Sequence, residues 1–408
     1  MTAKLDIDAV RQDFPILSTE VYGKPLVYLD NAASAQKPKQ VIDTMTEVMH
    51  SGYANVHRGL HYLSNKATDG FEAARESARV FLNAPKVEDI IFTSGATDAI
   101  NLVSYSYLAP RIQEGDEIIL SVMEHHSNIV PWHYLREEKG AVLKWVPVRD
   151  DGELDFEAYL DLLSPKTKMV ALTQMSNALG TITPMKRIIA AAHDMNVPVL
   201  VDGCQGAVHL VTDVQDLDAD FYVFSGHKVY GPSGIGVLYG KTELLAQMRP
   251  YRGGGEMIRE VSLDNVTYGD APHRFEAGTP PIVEAIGLGA ALQYMMETGR
   301  EAMVAHENEL LAYATELMSE INSLQFYGTA ADKGSILSFG AEGVHPHDLA
   351  TMIDRSGVAV RAGHHCAKPL MDRFGVPATA RASFACYNTR EEVEKLAEAV
   401  KKALTFFA

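Results

Sequence analysis

The sequence predicts an α/β protein, with a mostly parallel sheet in a large domain and a smaller α+β domain toward the C-terminus. Three observations predict it. Apolar runs of strand length alternate with helical patterns from residue 89 to 248, as in a doubly wound sheet. The 408 residues exceed what one simple core organises, which argues for two domains. The alternation then breaks over 250–281 and resumes in a different form beyond it.

Taken in order, the expected layout is an N-terminal segment 1–24 packing with the small domain, a large domain 25–281, and linking helices plus a small C-terminal domain over 282–408. A short amphipathic helix opens the chain. Residues 26–29 read as a strand ending in Asp30-Asn31-Ala32-Ala33-Ser34, and Pro38 suits the first turn of a helix reaching about residue 49. A polar loop holding His57-Arg58-Gly59 precedes a long amphipathic helix over 63–82. Strands follow near 89–93, 117–122, 142–147, 168–173, 198–202, 220–224 and 235–239. Helices fall between them near 97–108, 128–138, 155–163 and 185–195, with another at 241–248. The turn between 220–224 and 235–239 is too short for a helical crossover, so strand 235–239 is expected to run antiparallel at an edge. Residues 250–281 carry Gly253-Gly254-Gly255 and few apolar runs, and a loop of that length is usually functional. Helices at 282–297 and 300–322 lead to strands near 335–339, 357–361 and 380–385, with helices at 346–355 and 390–405.

Composition is ordinary for a globular chain, at 47% hydrophobic and 22% charged residues. The net charge of −17 argues against a nucleic-acid binder, which depends on neutralising phosphates. No apolar run reaches the roughly 18 residues of a membrane span, and the first residues lack a signal-peptide core. Cys204, Cys366 and Cys386 form no CxxC pair and read as thiols of a reducing compartment. A cytoplasmic protein without nucleic-acid or membrane partners is the expectation.

Ligands of open α/β sheets sit at the carboxyl ends of the strands, and five successive strand ends here carry polar groups. Ser94-Gly95-Ala96-Thr97 opens a helix; its free N–H groups and the Thr97 hydroxyl suit a phosphate, unless the threonine is simply a cap. Glu124-His125-His126, Ser176-Asn177, Asp202-Gly203-Cys204-Gln205 and Ser225-Gly226-His227-Lys228 follow the next strands. A carboxylate at the end of the apolar run before Asp202 needs a cationic partner. A protonated pyridine nitrogen is one, and an aspartate on that nitrogen with a lysine Schiff base is the pyridoxal-phosphate pairing. Lys228, between small residues and a Gly/Pro-rich turn, fits the lysine's part. His125 offers a flat ring and a group that moves protons near neutral pH, while His126 is read as structural.

A second cluster, Arg361-Ala362-Gly363-His364-His365-Cys366-Ala367, runs into a helix, so Cys366 gains thiolate character from the helix start and its histidines. Cys204 and Cys386 lie in apolar strand contexts and read as inert. Arg381, inside the apolar run 378–385, needs an anion, either a substrate carboxylate or a structural aspartate.

These residues resemble a known family. Ser225-Gly226-His227-Lys228, with Gly234 and Gly236, is similar to the lysine signature of class V, fold-type I pyridoxal-phosphate enzymes. The Arg361–Ala367 stretch is similar to the signature of group II, SUF-type cysteine desulfurases and selenocysteine-lyase-like enzymes. The longer, Ser-rich cysteine loop of group I desulfurases is missing. Leu29-Asp30-Asn31-Ala32-Ala33, His57-Arg58-Gly59, Met123-Glu124-His125-His126, Val201-Asp202-Gly203 and Arg274-Phe275-Glu276-Ala277-Gly278-Thr279 extend the match from about residue 8 onward.

The resemblance implies a fold-type I transferase with pyridoxal 5′-phosphate on Lys228. It implies His125 stacked on the ring, Asp202 on the pyridine nitrogen, and Gln205 and Asn177 on the hydroxyl side or the substrate. Thr97, Ser225 and His227 would hold the phosphate. Thr279 would reach the phosphate of the other subunit's site, which implies a homodimer with shared active sites. Arg381, with Arg361 beside it, would bind the carboxylate of L-cysteine, and Cys366 would take the sulfur as a persulfide while L-alanine leaves. A SUF-type acceptor protein would then carry the sulfur toward iron–sulfur cluster assembly. Selenocysteine lyase or cysteine sulfinate desulfinase activity is the alternative on the same scaffold. Two departures stand out: Cys204 where the family usually has a small residue, and Ala96 where many members have a hydroxyl.

Two further readings start from the same residues. A metal hydrolase would use His125, His126, His364, His365 and Cys366, but adjacent pairs are poor ligand spacing and no metal is expected. A non-catalytic sulfur-passing scaffold would not need Lys228 and Asp202 together.

Overall fold

A computed structural model describes residues 5–407; the first four residues of the expected N-terminal segment, and residue 408, lie outside the described residues. The large sheet has seven strands: β1 (Ile90–Thr93), β2 (Glu117–Ser121), β3 (Val142–Val146), β4 (Thr167–Thr173), β5 (Val199–Asp202), β6 (Phe221–Ser225) and β7 (Gly236–Gly240). Their spatial order is β1-β7-β6-β5-β4-β2-β3. From β6 to β3 every pairing is parallel.

Both faces of this sheet are buried, and strand periodicity divides the side chains between them. Ile90, Phe92, Val170, Leu172, Val199, Val201, Tyr222 and Phe224 enter one apolar cluster. Their neighbours Ile91, Met169, Ala171, Leu200, Phe221 and Val223 enter the other. That explains why the strands read as continuous apolar runs rather than alternating ones.

β7 runs antiparallel, as its short connection requires, but it is not an edge. It pairs with β6 on one side and with β1 on the other. The expectation of an edge failed because a connection's length sets strand direction and leaves open what covers the free side. The approach of β1 is tight. A Cβ on Gly236 would stand 2.5 Å from the Gly95 Cα, so only glycine fits there.

The second sheet comprises β8 (Leu324–Tyr327), β9 (Ile336–Ala341), β10 (Arg361–Gly363) and β11 (Thr379–Ser383), in the order β8-β9-β11-β10. β8 has no counterpart among the expected strands; of its two central side chains Gln325 is exposed and Phe326 only partly covered. Val27–Tyr28, expected with the large domain, pairs in parallel with Val358–Ala359. Val27 and Leu29 pack with Leu310, Leu337 and Val393, so this segment belongs to the C-terminal core. The N-terminal helix (Ile7–Gln12) reaches the same region, where Arg11 pairs with Glu392 at 3.0 Å. Among the described residues no helix is long and apolar enough to cross a membrane.

The 250–281 segment contains a short hairpin, Ile258–Val261 with Val266–Tyr268. Its C-terminal part is anchored by Arg75, which is 1% exposed. Arg75 donates from Nη1 and Nη2 to the two carboxylate oxygens of Glu276, at 2.6 and 2.9 Å. Glu276 Oε1 also accepts the Phe92 N–H at 2.7 Å. Glu276→Ala would leave the buried guanidinium with only the more exposed Glu72, 2.9 Å from its Nε, as a carboxylate partner, and is expected to destabilise the fold by about 1–3 kcal/mol. Chemical denaturation checks this; an unchanged midpoint would mean the pair does not anchor the segment.

Candidate active site

The carboxyl ends of β4, β5 and β6 open into one cavity of about 230 Å³. Thr97, His125, Asn177, Asp202, Gln205, Ser225, His227, Lys228, Arg361, Cys366 and Arg381 all line it. Thr279 does not. It lines a neighbouring cavity of about 450 Å³ with Asp98, Arg252 and Glu284.

Local structure explains how each end is built. β6 stops at Ser225 because Gly226 N–H turns to the Ile235 carbonyl at 2.9 Å, closing the loop that carries Lys228. A second segment pins that loop. The His227 carbonyl accepts the Ala35 N–H at 3.1 Å and the Lys37 ammonium at 3.0 Å. Burial lowers the Lys37 pKa to about 8. His227 is pushed down to about 4, by burial first and then by Lys228 and Lys37.

At the phosphate-like end the turn is less open than the sequence implies. The Ala96 N–H already donates to Ser225 Oγ at 2.9 Å, and the Ser94 N–H to Asp98 Oδ2 at 3.0 Å. Gly95, not Thr97, occupies the cap position of helix Ala96–Leu102. Two donors expected to be free are therefore used inside the protein.

Asp202 is 3% exposed and has no ion-pair partner among the described residues, although its Oδ1 accepts the Cys204 N–H at 3.0 Å. Cys204 is not in a strand. It lies just past β5 and lines the cavity, which corrects its placement in an apolar strand; desolvation pushes its thiol up to about 12. Cys386 is buried, and desolvation pushes its thiol pKa up. Gln205 donates from Nε2 to the Ala32 carbonyl at 2.8 Å, while its buried Oε1 has no partner.

His125 Nδ1 accepts the Ser127 N–H at 3.1 Å, which places the proton of the neutral ring on Nε2. Burial, then the Lys228 charge, lowers its pKa to about 4 and keeps the ring neutral. The preceding Glu124 is fully buried and receives hydrogen bonds from Ser121 Oγ at 2.5 Å and Asn128 Nδ2 at 2.7 Å. Desolvation raises its pKa to about 8 against those two bonds. The folded value lies above the ordinary 4.5, so its contribution to stability is complete below 4.5 and declines as pH rises toward about 8. Glu124→Gln, uncharged throughout, is expected to flatten this decline. Denaturation midpoints measured across that range check it, and a slope equal to wild type would count against a buried neutral acid.

The arginines share a partner the sequence analysis missed. Asp30 Oδ1 accepts from Arg381 Nη2 at 3.1 Å, and Asp30 Oδ2 accepts from Arg361 Nη2 at 3.0 Å. Arg381 also donates to the Asn177 carbonyl at 2.7 Å, yet its buried Nε has no partner. Burial lowers the Arg381 pKa to about 10. One carboxylate between two guanidiniums leaves a positive excess facing the cavity, suited to an anion. The available signal was Asp30 itself, a carboxylate directly after an apolar strand, as Asp202 is.

Cys366 is exposed at the rim of the cavity, between β10 and the helix Lys368–Phe374. Among the described residues no three His, Cys, Asp or Glu side chains converge as metal ligands.

The residues fit pyridoxal phosphate: a buried carboxylate without a cation, an orphaned amide oxygen, a neutral ring and a lysine share one cavity. The family described as aminotransferase class-V matches residues 27–396. A protein of Synechococcus elongatus named cysteine desulfurase is 52% identical over 400 residues, covering 98% of this chain and 64% of that protein. The chain thus spans about two thirds of that relative's length. A cysteine desulfurase of Pectobacterium carotovorum is 50% identical over 397 residues, 97% of each chain. The crystal structure of the Escherichia coli cysteine desulfurase CsdA superposes with a TM-score of 0.93 at 41% identity, covering 99% of this chain and all of the other. On fold, cavity and these likenesses together, the chain belongs to the aminotransferase class-V family of pyridoxal-phosphate-dependent enzymes.

Proposed function

We propose that the chain is a cysteine desulfurase, converting L-cysteine to L-alanine and keeping the sulfur as a persulfide on Cys366. The observation that carries this reading is one cavity lined by Lys228, Asp202, two arginines and, at its rim, Cys366. When bound, pyridoxal phosphate acts as an electron sink for the substrate's α-carbon. Asp202 would stabilise the protonated pyridine nitrogen, His125 would cover the ring, and Gln205 and Asn177 would serve the hydroxyl side or the substrate. Thr97, Ser225 and His227 would hold the phosphate. Arg381 and Arg361 bind the substrate carboxylate, which fixes the amino acid's orientation.

Lys228 Nζ is the amine that would hold the cofactor and is the group placed to take or give a proton at the substrate's α-carbon; His125 Nε2 is the second group placed to hold a proton. The Cys366 thiolate attacks the substrate's sulfur. The new S–S bond forms as the substrate's C–S bond breaks, the carbon takes a proton, and alanine leaves. Exposure of Cys366 leaves it open to a second protein, which supports transfer to a SUF-type acceptor for iron–sulfur assembly.

A homodimer accounts for two further features. Leu60 and Leu263 are wholly exposed and Tyr62 is 77% exposed. Their loops are tied together by the Arg58–Glu256 ion pair at 2.8 Å. Gly278 N–H bonds the Gly255 carbonyl in the same region, and Thr279 beside it lines a cavity apart from the one that holds Lys228, as a role in the other subunit's site requires. The test is product analysis of the purified holoprotein with L-cysteine. Equal amounts of alanine and sulfur, with persulfide mapped to Cys366, are expected. Pyruvate and ammonia in place of alanine would overturn the reading.

A further inference from the structure

Cys366 stands on a backbone that residues with side chains avoid. His365 (φ 51°) and Cys366 (φ 55°) are consecutive non-glycine residues in the left-handed region, where the β-carbon crowds the following carbonyl. Such a pair persists only where its surroundings over-determine it.

The surroundings do so from the large domain. Asn177 Nδ2 donates to the His365 carbonyl at 2.7 Å. The His126 N–H donates to the Cys366 carbonyl at 2.7 Å. The His126 ring then accepts the Lys368 N–H on Nε2 at 3.1 Å. From within the turn, His364 Nδ1 accepts the Cys366 N–H at 3.1 Å, and its ring centre lies 5.4 Å from that of His126.

We propose that His126 is the positioning residue of Cys366: one side chain and its own amide form a two-point clamp that holds the strained 364–368 turn against the cavity. The proposal rests on the desulfurase reading for its catalytic meaning. Three features argue for it. The two bonds hold the chain at the cysteine's own carbonyl and at the N–H two residues on, while Asn177 holds the carbonyl before it, so the turn is fixed on both sides of the cysteine where one bond would act as a hinge. The Lys368 N–H is one of the donors that a helix start leaves without an intrahelical partner, and the imidazole supplies the missing acceptor. Finally, His126 does not line the cavity while His125 does, so adjacent histidines have separate tasks. Acceptance at Nε2 requires a neutral ring with its proton on Nδ1. Burial and the neighbouring His364 both favour that neutral form.

The experiment compares holoenzyme of wild type, His126→Ala and His126→Gln. A glutamine Oε1 can take the place of Nε2 as acceptor. In His126→Ala the cofactor absorbance and its half-saturation with L-cysteine should match wild type. Persulfide formation on Cys366 should fall about 10–100-fold, as expected for a misplaced reacting group. Amide hydrogen exchange in the 364–370 peptide should accelerate in His126→Ala. His126→Gln should restore both the protection and most of the rate. Unchanged exchange and persulfide rate in His126→Ala would overturn the proposal. So would a loss that glutamine fails to rescue, or one that tracks loss of cofactor. If wild type forms no persulfide, the desulfurase reading falls, and the exchange comparison alone decides whether the clamp exists.

Discussion

Lys228→Ala is expected to lower turnover by at least about 10³-fold, the combined loss of a covalent anchor and a proton-transfer group. The loss should be chemical rather than structural. The loop holding residue 228 is fastened through backbone groups: Gly226 to Ile235, Val229 to Gly226, and the His227 carbonyl to Ala35. None of these bonds uses the lysine side chain. Borohydride reduction followed by peptide mapping makes the expectation sharp. Wild type should carry the reduced cofactor on Lys228, and the variant should carry none. Lys37 is the informative competitor. It is a neighbouring amine with a pKa lowered by burial to about 8, so it is chemically able to react. Its Nζ, however, is occupied by the Ala35 and His227 carbonyls. Label found on Lys37 in the wild-type protein would remove Lys228 from its proposed role.

Cys366→Ala should separate cofactor chemistry from sulfur transfer. Alanine formation from L-cysteine is expected to fall by about 10²-fold or more, because the nucleophile that accepts the sulfur is gone. Cofactor absorbance and the spectral response to added cysteine should persist, since the cofactor's proposed contacts come from other residues. Selenocysteine and cysteine sulfinate offer leaving groups that depend less on a thiol acceptor, so their turnover should survive better. A variant that desulfurates cysteine at the wild-type rate would eliminate the persulfide role. A wild-type enzyme that prefers selenocysteine or cysteine sulfinate would favour the alternative activities.

Much of the site was legible in the sequence because it depends on local chain features. Strand ends mark where polar groups emerge, so Asp202, Ser225 and Lys228 could be placed in one crevice by reading along the chain. The continuous apolar runs of β5 and β6 made their burial in a parallel sheet readable too. Other features have no local signature. Asp30 joins Arg361 and Arg381 across 331 and 351 residues of sequence. Cys204 looked like a core thiol because its neighbours are apolar, yet it faces the cavity once β5 ends.

By itself, then, the sequence determined a doubly wound α/β domain, a lysine and a carboxylate at strand ends facing one crevice, and a cysteine before a helix. Each follows from periodicity or turn chemistry within a few residues. The tertiary structure decided that β7 lies inside the sheet, that one aspartate serves two arginines, and that Thr279 stands outside its own chain's cavity. It also decided that His126 grips the turn carrying Cys366. The physical reason is common to all four. Pairing a free strand side, sharing a charge, and satisfying a distant N–H depend on what packing brings alongside, and no residue encodes that in its own neighbourhood.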